Sequence, residues 1–327
     1  MRVLVTGGAG FIGSHYIRSL LLQDSPLQVR VLDALTYAGN QANLDPVASD
    51  PRLEFVLGDI RHRDTVRKAM ADVDVVVHFA AESHVDRSIA AGDDFVTTNV
   101  GGTFTLMQVA LEKDVERFVH VSTDEVYGSI DTGTSVETDS LNPNSPYSAS
   151  KASSDMLARA FHRTYGLPVC ITRCSNNYGP YQHPEKVIPR FVTALLEGDY
   201  IPLYGDGGNM RDWLHVDDHC AALRLVVEGG CSGEIYNIGG GTSLSNIELT
   251  RRLLDVVGMD WSRVRRVPDR PGHDRRYAID DSKIRTELGY LPRTSLEDGL
   301  AATVRWYTDH RNWWAPAAVA PTTLGGK

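Results

Sequence analysis

Short apolar runs alternate with amphipathic segments along the first half of the chain. The apolar runs are at residues 2–6, 29–32, 53–57, 73–79, 117–122 and 169–173. The amphipathic segments between them include residues 14–23, 65–71, 95–113 and 147–165. The run at residues 73–79 is almost wholly apolar, which is typical of a central parallel strand covered on both faces. The alternation therefore predicts an α/β fold with a doubly wound parallel sheet.

The alternation breaks down from about residue 175. Turn-forming residues then become frequent, namely Pro180, Pro184, Pro189, Pro202, Gly205, Gly207 and Gly208. They indicate loops and short elements of the kind that bind substrates. Helical patterns return at residues 246–257 and 296–310. We therefore expect a smaller, mixed α/β substrate domain in the C-terminal part of the chain.

The composition is that of an ordinary globular protein, with 42% hydrophobic and 23% charged residues. The net charge of -9 argues against a general surface for nucleic acids or anionic membranes. The apolar runs are too short to span a bilayer. The N-terminus leads directly into an apolar strand and a glycine loop, without the pattern of a signal peptide. We expect a cytoplasmic protein that binds neither nucleic acid nor membrane.

Two groups of residues superficially resemble metal sites. Cys170 and Cys174 have no matching Cys/His pair at zinc-ligand spacing, so free thiols in a reducing compartment are expected. His215 and His219 flank two aspartates, but an aspartate cap on a helix that begins near Cys220 is the simpler interpretation. No metal is expected.

A glycine motif follows the first predicted strand. Gly7, Gly10 and Gly13 form a G-x-x-G-x-x-G pattern that encloses Phe11 and Ile12 and opens a helix. Such glycines allow a tight turn and bring backbone N–H groups close to a pyrophosphate at the helix N-terminus. Asp33 ends the second strand 20 residues after Gly13. Together these features predict a Rossmann-type dinucleotide site.

The acidic residue at position 33 distinguishes between cofactors. A carboxylate can accept hydrogen bonds from the adenosine ribose, but it repels a 2′-phosphate by a few kcal/mol, to order of magnitude. NAD is therefore favoured over NADP. Asp59 and Ile60 fit the adenine edge, and a helix cap is the less favoured alternative for Asp59. Ala80, Ala81 and Ser83 follow the fourth strand, where the ribose and nicotinamide would lie.

Tyr147 and Lys151 are four residues apart and share one face of a predicted helix. A tyrosine base that works near neutral pH needs its pKa lowered from about 10 to about 7, a stabilisation of about 4 kcal/mol. We expect Lys151 and the positive nicotinamide to supply it. Thr123, Asp124 and Glu125 end another strand. An acidic strand end is common, but an acid and a second base beside a tyrosine indicate a second proton transfer.

Five segments resemble the dTDP-glucose 4,6-dehydratase family of extended short-chain dehydrogenases. They are residues 80–88 (AAESHVDRS), 123–128 (TDEVYG), 147–151 (YSASK), 174–181 (CSNNYGPY) and 269–277 (DRPGHDRRY). The resemblance covers nearly the whole chain. Related sugar-nucleotide epimerases and decarboxylases share the glycine loop and the Tyr/Lys pair, but they typically lack the Asp-Glu pair.

The resemblance implies a redox-neutral dehydration with tightly bound NAD that is recycled in each turnover. Tyr147 would take the C4 hydroxyl proton during oxidation, with Thr123 orienting that hydroxyl. Glu125 would remove the C5 proton, which the 4-keto group acidifies, while Asp124 protonates the departing C6 hydroxyl. The product would be a 4-keto-6-deoxy sugar nucleotide.

The resemblance also completes the two sets of binding residues. Leu35, Thr36 and Thr98 would contact NAD, and Asn177 would approach the nicotinamide carboxamide. The nucleotide sugar needs cationic and hydrogen-bonding groups outside the Rossmann half. The candidates are Ser83, Thr123, Asn176, Glu185, Lys186, Val187, Arg190, Pro202, Tyr204, Arg211, Asn246, Arg270, His273 and Tyr277.

Some alternatives remain open at this stage. A sugar-nucleotide 4-epimerase, or a 4,6-dehydratase of a UDP- or GDP-sugar, would share most of these motifs. A Rossmann-fold sensor of NAD redox state could dispense with the catalytic constellation. No recognisable pattern in the sequence identifies the nucleotide base. Nor does one identify the pathway, which could be that of cell-envelope rhamnose or of a secondary-metabolite deoxysugar.

We predict two domains and a homodimer. The NAD-binding domain would comprise residues 1–174 and about 206–238, and the sugar-nucleotide domain about 175–205 and 239–314. Residues 315–327 are small and low in complexity, so we expect a disordered tail. By analogy, two copies would associate through the long helices at residues 96–112 and 147–165.

Overall fold

The computed structural model of the protein describes residues 1–318. Its strands are β1 (Arg2–Thr6), β2 (Gln28–Asp33), β3 (Leu53–Leu57), β4 (Val75–His78), β5 (Arg117–Thr123), β6 (Val169–Cys174), β7 (Asn176–Tyr178), β8 (Ile201–Tyr204), β9 (Met210–His215), β10 (Ile235–Ile238), β11 (Ser243–Ser245) and β12 (Val264–Val267). Its α-helices are α1 (Phe11–Leu21), α2 (Arg63–Ala69), α3 (Val85–Ala90), α4 (Asp93–Phe95), α5 (Thr103–Glu112), α6 (Pro146–Tyr165), α7 (Val187–Leu196), α8 (Val216–Gly229), α9 (Asn246–Val257), α10 (Ser282–Leu288), α11 (Leu296–Asp309) and α12 (Arg311–Ala318).

A seven-stranded parallel sheet forms the larger part of the fold. Its strand order is β10-β6-β5-β4-β1-β2-β3. Apolar residues of α1, α8 and α10 pack on one face of the sheet, and those of α2, α5 and α6 pack on the other. The predicted doubly wound α/β fold is therefore confirmed. All seven strands point the same way, so their carboxyl ends meet at one edge.

The smaller part of the fold contains two further sheets. β9 pairs in parallel with β7 and antiparallel with β11, while β8 pairs in parallel with β12. A separate apolar core joins these strands to α7, α9, α11 and α12. The division into two domains stays a prediction. However, β9 lies within the segment assigned to the NAD-binding domain and pairs in the smaller sheet.

Two predicted boundaries differ from the structure. The helix after the glycine loop begins at Phe11 rather than at residue 14. The expected disordered tail from residue 315 overlaps α12, which continues to Ala318. Trp314 explains this helix, because its side chain is 1% exposed and packs in the smaller core. The remainder of the predicted tail lies outside the described residues.

One helix contains a turn that the sequence pattern does not indicate. Between α4 and α5, residues Val96–Gly102 form a π-helical turn. This places Asn99, which is 1% exposed, against the loop after β4 and against α6. Its side chain accepts from the Glu82 N–H (2.8 Å) and donates to the Glu82 carbonyl and to the Ser150 hydroxyl (both 2.9 Å). π-turns inside helices occur frequently at functional sites.

Candidate active site

A cavity of about 690 Å³ lies at the carboxyl edge of the large sheet. The predicted residues that line it are Gly7, Gly10, Phe11, Ile12, Gly13, Asp33, Thr36, Asp59, Ile60, Ala80, Ala81, Ser83, Thr98, Thr123, Asp124, Glu125, Tyr147, Lys151, Asn176, Asn177, Glu185 and Lys186. The predicted residues outside its lining are Leu35, Val187, Arg190, Pro202, Tyr204, Arg211, Asn246, Arg270, His273 and Tyr277. The structure thus brings nearly all the predicted cofactor residues and all the predicted catalytic residues together, while most predicted substrate residues lie outside the lining of this cavity.

The glycine loop has the geometry of an anion cradle. Gly7 has φ +70°, and a Cβ at this residue would lie 2.6 Å from the Ala80 nitrogen, so only glycine fits between β1 and the loop after β4. A Cβ on Gly13 would lie 2.4 Å from the Gly7 carbonyl oxygen. No side chain caps the N-terminus of α1. The backbone N–H groups at this end of α1 can therefore hold a pyrophosphate.

Asp33 is anchored by backbone groups at the end of β2. Its Oδ2 accepts from the Ala9 N–H (2.9 Å), and its Oδ1 accepts from the Leu35 N–H (2.8 Å). Burial raises the pKa of this carboxyl, and the two hydrogen bonds oppose the shift. The side chain of Leu35 does not line the cavity. Its contribution is the backbone N–H that Asp33 accepts from, and its backbone has φ +50°. Because a carboxylate oxygen can accept more than one hydrogen bond, Asp33 can still receive those of a ribose.

Asp59 has a partner that the sequence reasoning missed. The Arg61 guanidinium donates to the Asp59 carboxylate, with Nη2 at 2.6 Å from Oδ2, and Arg61 also lines the cavity. The spacing of two residues could have indicated this ion pair. It holds the Asp59 carboxylate in place at the predicted adenine end.

Tyr147 and Lys151 lie in the first turns of α6. The helix begins at Pro146 after a Ser145 cap, whose hydroxyl accepts from the Ser148 N–H. Lys151 is 4% exposed, and its Nζ donates to the Val121 carbonyl of β5 (2.8 Å). Burial lowers the pKa of Lys151 to about 8, and Asp155 opposes the shift. The pair therefore reaches the cavity as the helical spacing predicts.

The protein groups around Tyr147 do not by themselves lower its pKa. Burial raises it well above the ordinary value, and Glu125, Cys174 and Asp124 raise it further. The physical reason is that the phenol is enclosed beside two carboxyl groups while the Lys151 amine bonds to a backbone carbonyl. The chain by itself keeps Tyr147 protonated.

Thr123 ends β5 and caps the short 3-10 helix Asp124–Tyr127. Its Oγ1 accepts from the Glu125 N–H (3.2 Å) and donates to Asp124 Oδ1 (3.3 Å). Asp124 is 2% exposed, and its Oδ2 has no hydrogen-bond partner among residues 1–318. The cap therefore turns the chain so that both carboxyl groups lie at the cavity.

The two adjacent carboxyl groups have different surroundings. Burial raises the pKa of Asp124 well above its ordinary value; the negative charges of Glu125 and Asp212 add to the shift, and Arg211 opposes it. Burial also raises the pKa of Glu125, with Arg211, Lys186 and Arg270 opposing the shift and Asp274 adding to it. Asp124 is thus the group that holds its proton more strongly, and Glu125 is the one with more cations to stabilise its ionised form.

These three cations are fixed by partners on different elements. Lys186 Nζ donates to the Ser83 carbonyl (2.7 Å), and Arg270 Nη1 pairs with Asp86 Oδ1 (2.9 Å). Arg211 donates to the Asp274 carbonyl (2.9 Å), and its guanidinium lies 4.3 Å from the centre of the Tyr277 ring. The structure therefore gathers predicted substrate residues that are distant in sequence around one carboxylate.

The remaining predicted substrate residues occupy the smaller part of the fold. His273 bonds to Asp269 (2.6 Å) and contacts the Tyr204 ring, and the Tyr277 hydroxyl donates to Asp274. Other predicted positions are the first residue of α9 (Asn246), the first and fourth residues of α7 (Val187 and Arg190) and β8 (Pro202).

Residues of the cavity mouth were also missed by the sequence reasoning. Arg87 donates from Nε to Glu185 Oε2 (3.1 Å), and its guanidinium lies 4.0 Å from the centre of the Tyr37 ring. Both Arg87 and Tyr37 line the cavity. The 98-residue separation between Arg87 and Glu185 leaves no local pattern that could have revealed this pair.

The predicted aspartate cap is wrong. The helix α8 begins at Val216, and its cap is His215, whose ring accepts from the Asp217 N–H. Asp217 bonds instead to His15 (3.0 Å), and Asp218 accepts from the backbone N–H groups of residues 293 and 294. Helix pattern alone could not show these distant partners.

His219 has a role that connects it to the cavity. Its Nδ1 is 2.9 Å from Oδ1 of Asn177, a cavity residue that also donates from Nδ2 to the Ser175 carbonyl (3.0 Å). Burial lowers the pKa of His219 to about 3, so the ring is neutral. The histidine and the carbonyl together fix the orientation of the Asn177 amide.

Within residues 1–318, no group of three or more His, Cys, Asp or Glu side chains could hold a metal ion. In the same range, none of the helices combines the length and the apolar character that crossing a bilayer requires. All four cysteines are free, and only Cys231 is exposed.

Comparisons with known proteins agree with this geometry. The family model described as GDP-mannose 4,6 dehydratase matches residues 4–303. The dTDP-glucose 4,6-dehydratase of Streptomyces griseus is 57% identical over 320 residues, which cover 97% of each chain. DesIV, a dTDP-glucose 4,6-dehydratase from Streptomyces venezuelae solved with NAD bound, is 62% identical, with a TM-score of 0.96 over 97% of this chain and 100% of that one.

A second solved structure is more distant in sequence. The dTDP-glucose 4,6-dehydratase of Bacillus anthracis, in complex with NAD, is 46% identical, with a TM-score of 0.91 over 97% of this chain and 99% of that chain. Similarity of sequence and of structure thus extends over nearly the whole length of each relative. The chain belongs to the dTDP-glucose 4,6-dehydratase family.

Proposed function

We propose that the chain is an NAD-dependent lyase that converts dTDP-glucose to dTDP-4-keto-6-deoxyglucose for deoxysugar biosynthesis. The relatives at 55–57% identity that carry this activity in their names support the substrate and the reaction. The observation that carries the proposal is the electrostatic difference between Asp124 and Glu125. An acid that holds its proton strongly, beside a carboxyl group whose ionised form is stabilised by three cations, suits an elimination of water.

The cofactor assignment rests on the fit of the glycine loop and Asp33. The N-terminus of α1 would hold the pyrophosphate, the Asp33 carboxylate the adenosine ribose, and the loop after β4 the nicotinamide half. Bound NAD would accept hydride from C4 of the sugar and return it to C6 later in the same turnover. Its oxidised ring would also supply a positive charge that lowers the pKa of Tyr147.

Tyr147, Lys151 and Thr123 serve the oxidation at C4. The phenolic oxygen of Tyr147 takes the proton of the C4 hydroxyl, and the Thr123 hydroxyl orients that group. Lys151, held by the Val121 carbonyl, places a positive charge on the same helix face. The protonated state of Asp124 helps as well, because it removes one of the negative charges that raise the pKa of Tyr147.

Glu125 and Asp124 serve the elimination. The 4-keto group makes the C5 proton acidic, and the Glu125 carboxylate removes it. The C6–O bond breaks as Asp124 donates its proton, so water leaves and a C5–C6 double bond forms. When C6 is reduced, protonated Glu125 returns the proton to C5. Tyr147 releases to solvent the proton that it took from the C4 hydroxyl, and Asp124 regains one from solvent. The sugar loses one water and gains no electrons.

The anionic and sugar parts of the substrate would meet the cations around Glu125. Lys186, Arg211 and Arg270 provide positive charge, and Asn176 adds hydrogen bonds at the cavity wall. We propose that the more distant set binds the nucleotide, namely Val187, Arg190, Pro202, Tyr204, Asn246, His273 and Tyr277. Glu185, paired with Arg87, would hold the mouth of the site.

An experiment on the two carboxyl groups tests the proposal. In deuterated water, Glu125→Gln is expected neither to exchange the C5 hydrogen nor to release water, because the base is lost. Asp124→Asn is expected to exchange C5 while elimination slows by about 10²-fold or more. In both variants oxidation at C4 persists, so the absorbance of reduced nicotinamide appears on mixing with substrate. Elimination at the wild-type rate in both variants would refute the assigned roles.

A 4-epimerase and a dehydratase of a UDP- or GDP-sugar are the alternatives to test. An epimerase needs Tyr147 and Lys151 but gives Asp124 and Glu125 no function. Incubation with dTDP-, UDP- and GDP-sugars, followed by product mass, separates these activities. A loss of 18 mass units, the mass of the eliminated water, is expected from the dTDP sugar.

We also propose a cytoplasmic homodimer. The support is a set of apolar side chains exposed on the elements expected to associate, namely Val96, Phe104, Met156 and Tyr165. Val96 lies on the π-helical turn before α5, Phe104 on α5, and the last two on α6, which packs against both the turn and α5. A second copy of the chain would cover this apolar surface.

A further inference from the structure

The C-terminal helix is connected to the glycine loop by a line of hydrogen bonds. Trp313 of α12 donates from its indole Nε1 to Oδ1 of Asn43 (3.0 Å). The Nδ2 of Asn43 donates to the Ala9 carbonyl (2.8 Å), between Gly7 and Gly13. Residues about 300 positions apart in sequence are thus only two side-chain hydrogen bonds apart in space.

Hydrogen bonds of both the side chain and the backbone hold Asn43 in this position. Its side chain is 1% exposed and uses one amide atom as acceptor and the other as donor, which fixes the amide orientation. Its backbone N–H donates to the Asn40 carbonyl (3.0 Å), and its carbonyl accepts from Arg18. A buried amide with both ends occupied transmits the position of one partner to the other.

Ala9 is the residue through which the glycine loop is held. Its carbonyl accepts from the Asn40 N–H (3.0 Å) as well as from Asn43, and its own N–H donates to Asp33 (2.9 Å). Asp33 is the carboxylate expected to bind the adenosine ribose. The link therefore ends at both parts of the dinucleotide site, the pyrophosphate loop and the ribose acceptor.

Aromatic packing holds the other end of the link. The Trp313 ring lies 5.0 Å from the Trp306 ring and 5.8 Å from the Tyr181 ring, measured between centroids. The Arg18 guanidinium, which also donates to Asn43, lies 4.3 Å from the centre of the Tyr181 ring. α11, α12 and the loop after β7 thus present Trp313 to the Rossmann half as one packed unit.

We propose that Trp313, acting through Asn43, is a positioning residue for the glycine loop and so slows the release of NAD. The inference rests on the proposed function, because it takes NAD as the ligand of the loop. Trp313 does not line the cavity. Its effect is therefore expected on cofactor retention rather than on the chemical steps.

The test compares two neighbouring tryptophans. Trp313→Phe keeps the ring packing but removes the donor to Asn43. Trp314→Phe removes the indole donor of the neighbouring residue, which is more deeply buried and bonds to the Tyr307 carbonyl (2.7 Å) within the C-terminal helices, and it serves as the control. Release of NAD from the holoenzyme is followed by chase with an NAD analogue. About fivefold faster release is expected for Trp313→Phe, the size expected from one hydrogen bond, and less than twofold for Trp314→Phe.

Two further readouts exclude a merely structural effect. At saturating NAD, kcat of Trp313→Phe is expected to stay within about twofold of the wild type, because only binding of the cofactor is altered. Hydrogen exchange of the peptide containing residues 7–13 in cofactor-free protein is expected to rise in Trp313→Phe and not in Trp314→Phe. In the double variant with Asn43→Ala, the effect of Trp313→Phe on this exchange should disappear.

Two results would overturn the inference. One is unchanged release and exchange in Trp313→Phe, and the other is an equal change in Trp314→Phe. A wild-type protein that binds no NAD would instead refute the proposed function, and the hydrogen-exchange comparison would still decide whether Trp313 orders the loop.

Discussion

Asp124 and Glu125 show how neighbouring residues of similar chemistry acquire different functions. The side chain of Asp124 is enclosed and faces the negative charges of Glu125 and Asp212. Glu125 faces three cations, which come from β9, from the residue before α7 and from the loop after β12. Sequence spacing predicts that the two carboxyl groups reach the site. Which of the two acts as the acid and which as the base depends on charged residues from distant parts of the chain.

The raised pKa of Asp124 makes the stability of the fold depend on pH. In the unfolded chain this carboxyl ionises near pH 3.8, whereas in the folded protein it stays protonated to much higher pH. Above about pH 4 the folded state therefore binds more protons than the unfolded state at this group, and stability falls as pH rises. Asp124→Asn removes this ionisable group, so the part of the stability decline that Asp124 causes should be absent in the variant.

The expected result is a difference between the two melting curves as a function of pH. Near pH 4 the Tm values of wild type and Asp124→Asn should be similar, and near pH 8 the variant should melt higher, by about 2 °C or more for each kcal/mol removed. Differential scanning calorimetry in matched buffers measures this. Asp72→Asn is the control, because this aspartate is exposed. Asp218→Asn would not serve, because Asp218 accepts two backbone hydrogen bonds that the substitution would weaken. If the Tm of wild type and of Asp124→Asn changed with pH in the same way, the pKa of Asp124 would not be raised in the folded protein.

At the scale of elements, the position of α6 determines whether Tyr147 and Lys151 reach the cavity. Two buried serines of this helix bond to the π-helical turn Val96–Gly102. The Ser150 hydroxyl accepts from the Asn99 side chain (2.9 Å), and the Ser154 hydroxyl donates to the Asn99 carbonyl (2.7 Å). The turn and α6 are thus fixed to each other on both sides of Lys151.

Adjacent serines of α6 allow this contact to be tested. Ser154 is fully buried and bonds across to Asn99, whereas the exposed Ser153 bonds only within its own helix, to the Ala149 carbonyl. Ser154→Ala is expected to lower the free energy of unfolding by about 1 kcal/mol because the hydrogen bond between elements is lost. Ser153→Ala should be neutral or stabilise by up to about 0.5 kcal/mol, because alanine has the higher helix propensity.

Urea denaturation at equal protein concentration measures both variants. The rate of C4 oxidation should fall in Ser154→Ala and remain at the wild-type value in Ser153→Ala, since only the former loosens the position of Tyr147. If the two serines behave alike, the π-helical turn does not hold α6.

For the whole molecule, the sequence predicts the sheet well and the connections across it poorly. Apolar runs reveal the strands because each parallel strand is buried on both faces. The same strands also carry fully buried polar groups that no local pattern explains. Arg173 of β6 pairs with Asp155 of α6 (2.9 Å), and Asp155 also lies 3.3 Å from His120 of β5. Such partners become visible only when the chain is folded.

The candidate site follows the same division. Residues recognised by spacing within one turn or loop, such as Gly7 to Gly13 and Tyr147 with Lys151, lie where the sequence predicts. Those that depend on distant charges do not follow from local sequence. The protein groups around Tyr147 raise its pKa, and the two aspartates expected to cap α8 bond instead to His15 and to the backbone of residues 293 and 294. In each case the deciding group comes from another element of the fold.

The proposed dimer gives a prediction that concerns the molecule as a whole. Met156 is 54% exposed in the middle of α6, which packs against α5, and burial of apolar surface is the driving force for a homodimer. A charge placed there would have to be buried without a partner, in both copies at once. Met156→Asp is therefore expected to raise the dimer dissociation constant by at least 100-fold, because an unpaired buried charge costs several kcal/mol.

Size-exclusion chromatography with light scattering measures the outcome. Wild type should elute at twice the chain mass of 36.0 kDa, and Met156→Asp as the single chain at micromolar concentration. Leu291→Asp is the matched control, because Leu291 is 65% exposed and lies after α10, away from α5 and α6. It should remain dimeric. A wild-type protein of 36.0 kDa would refute the dimer, and a dimeric Met156→Asp would place the interface on another surface.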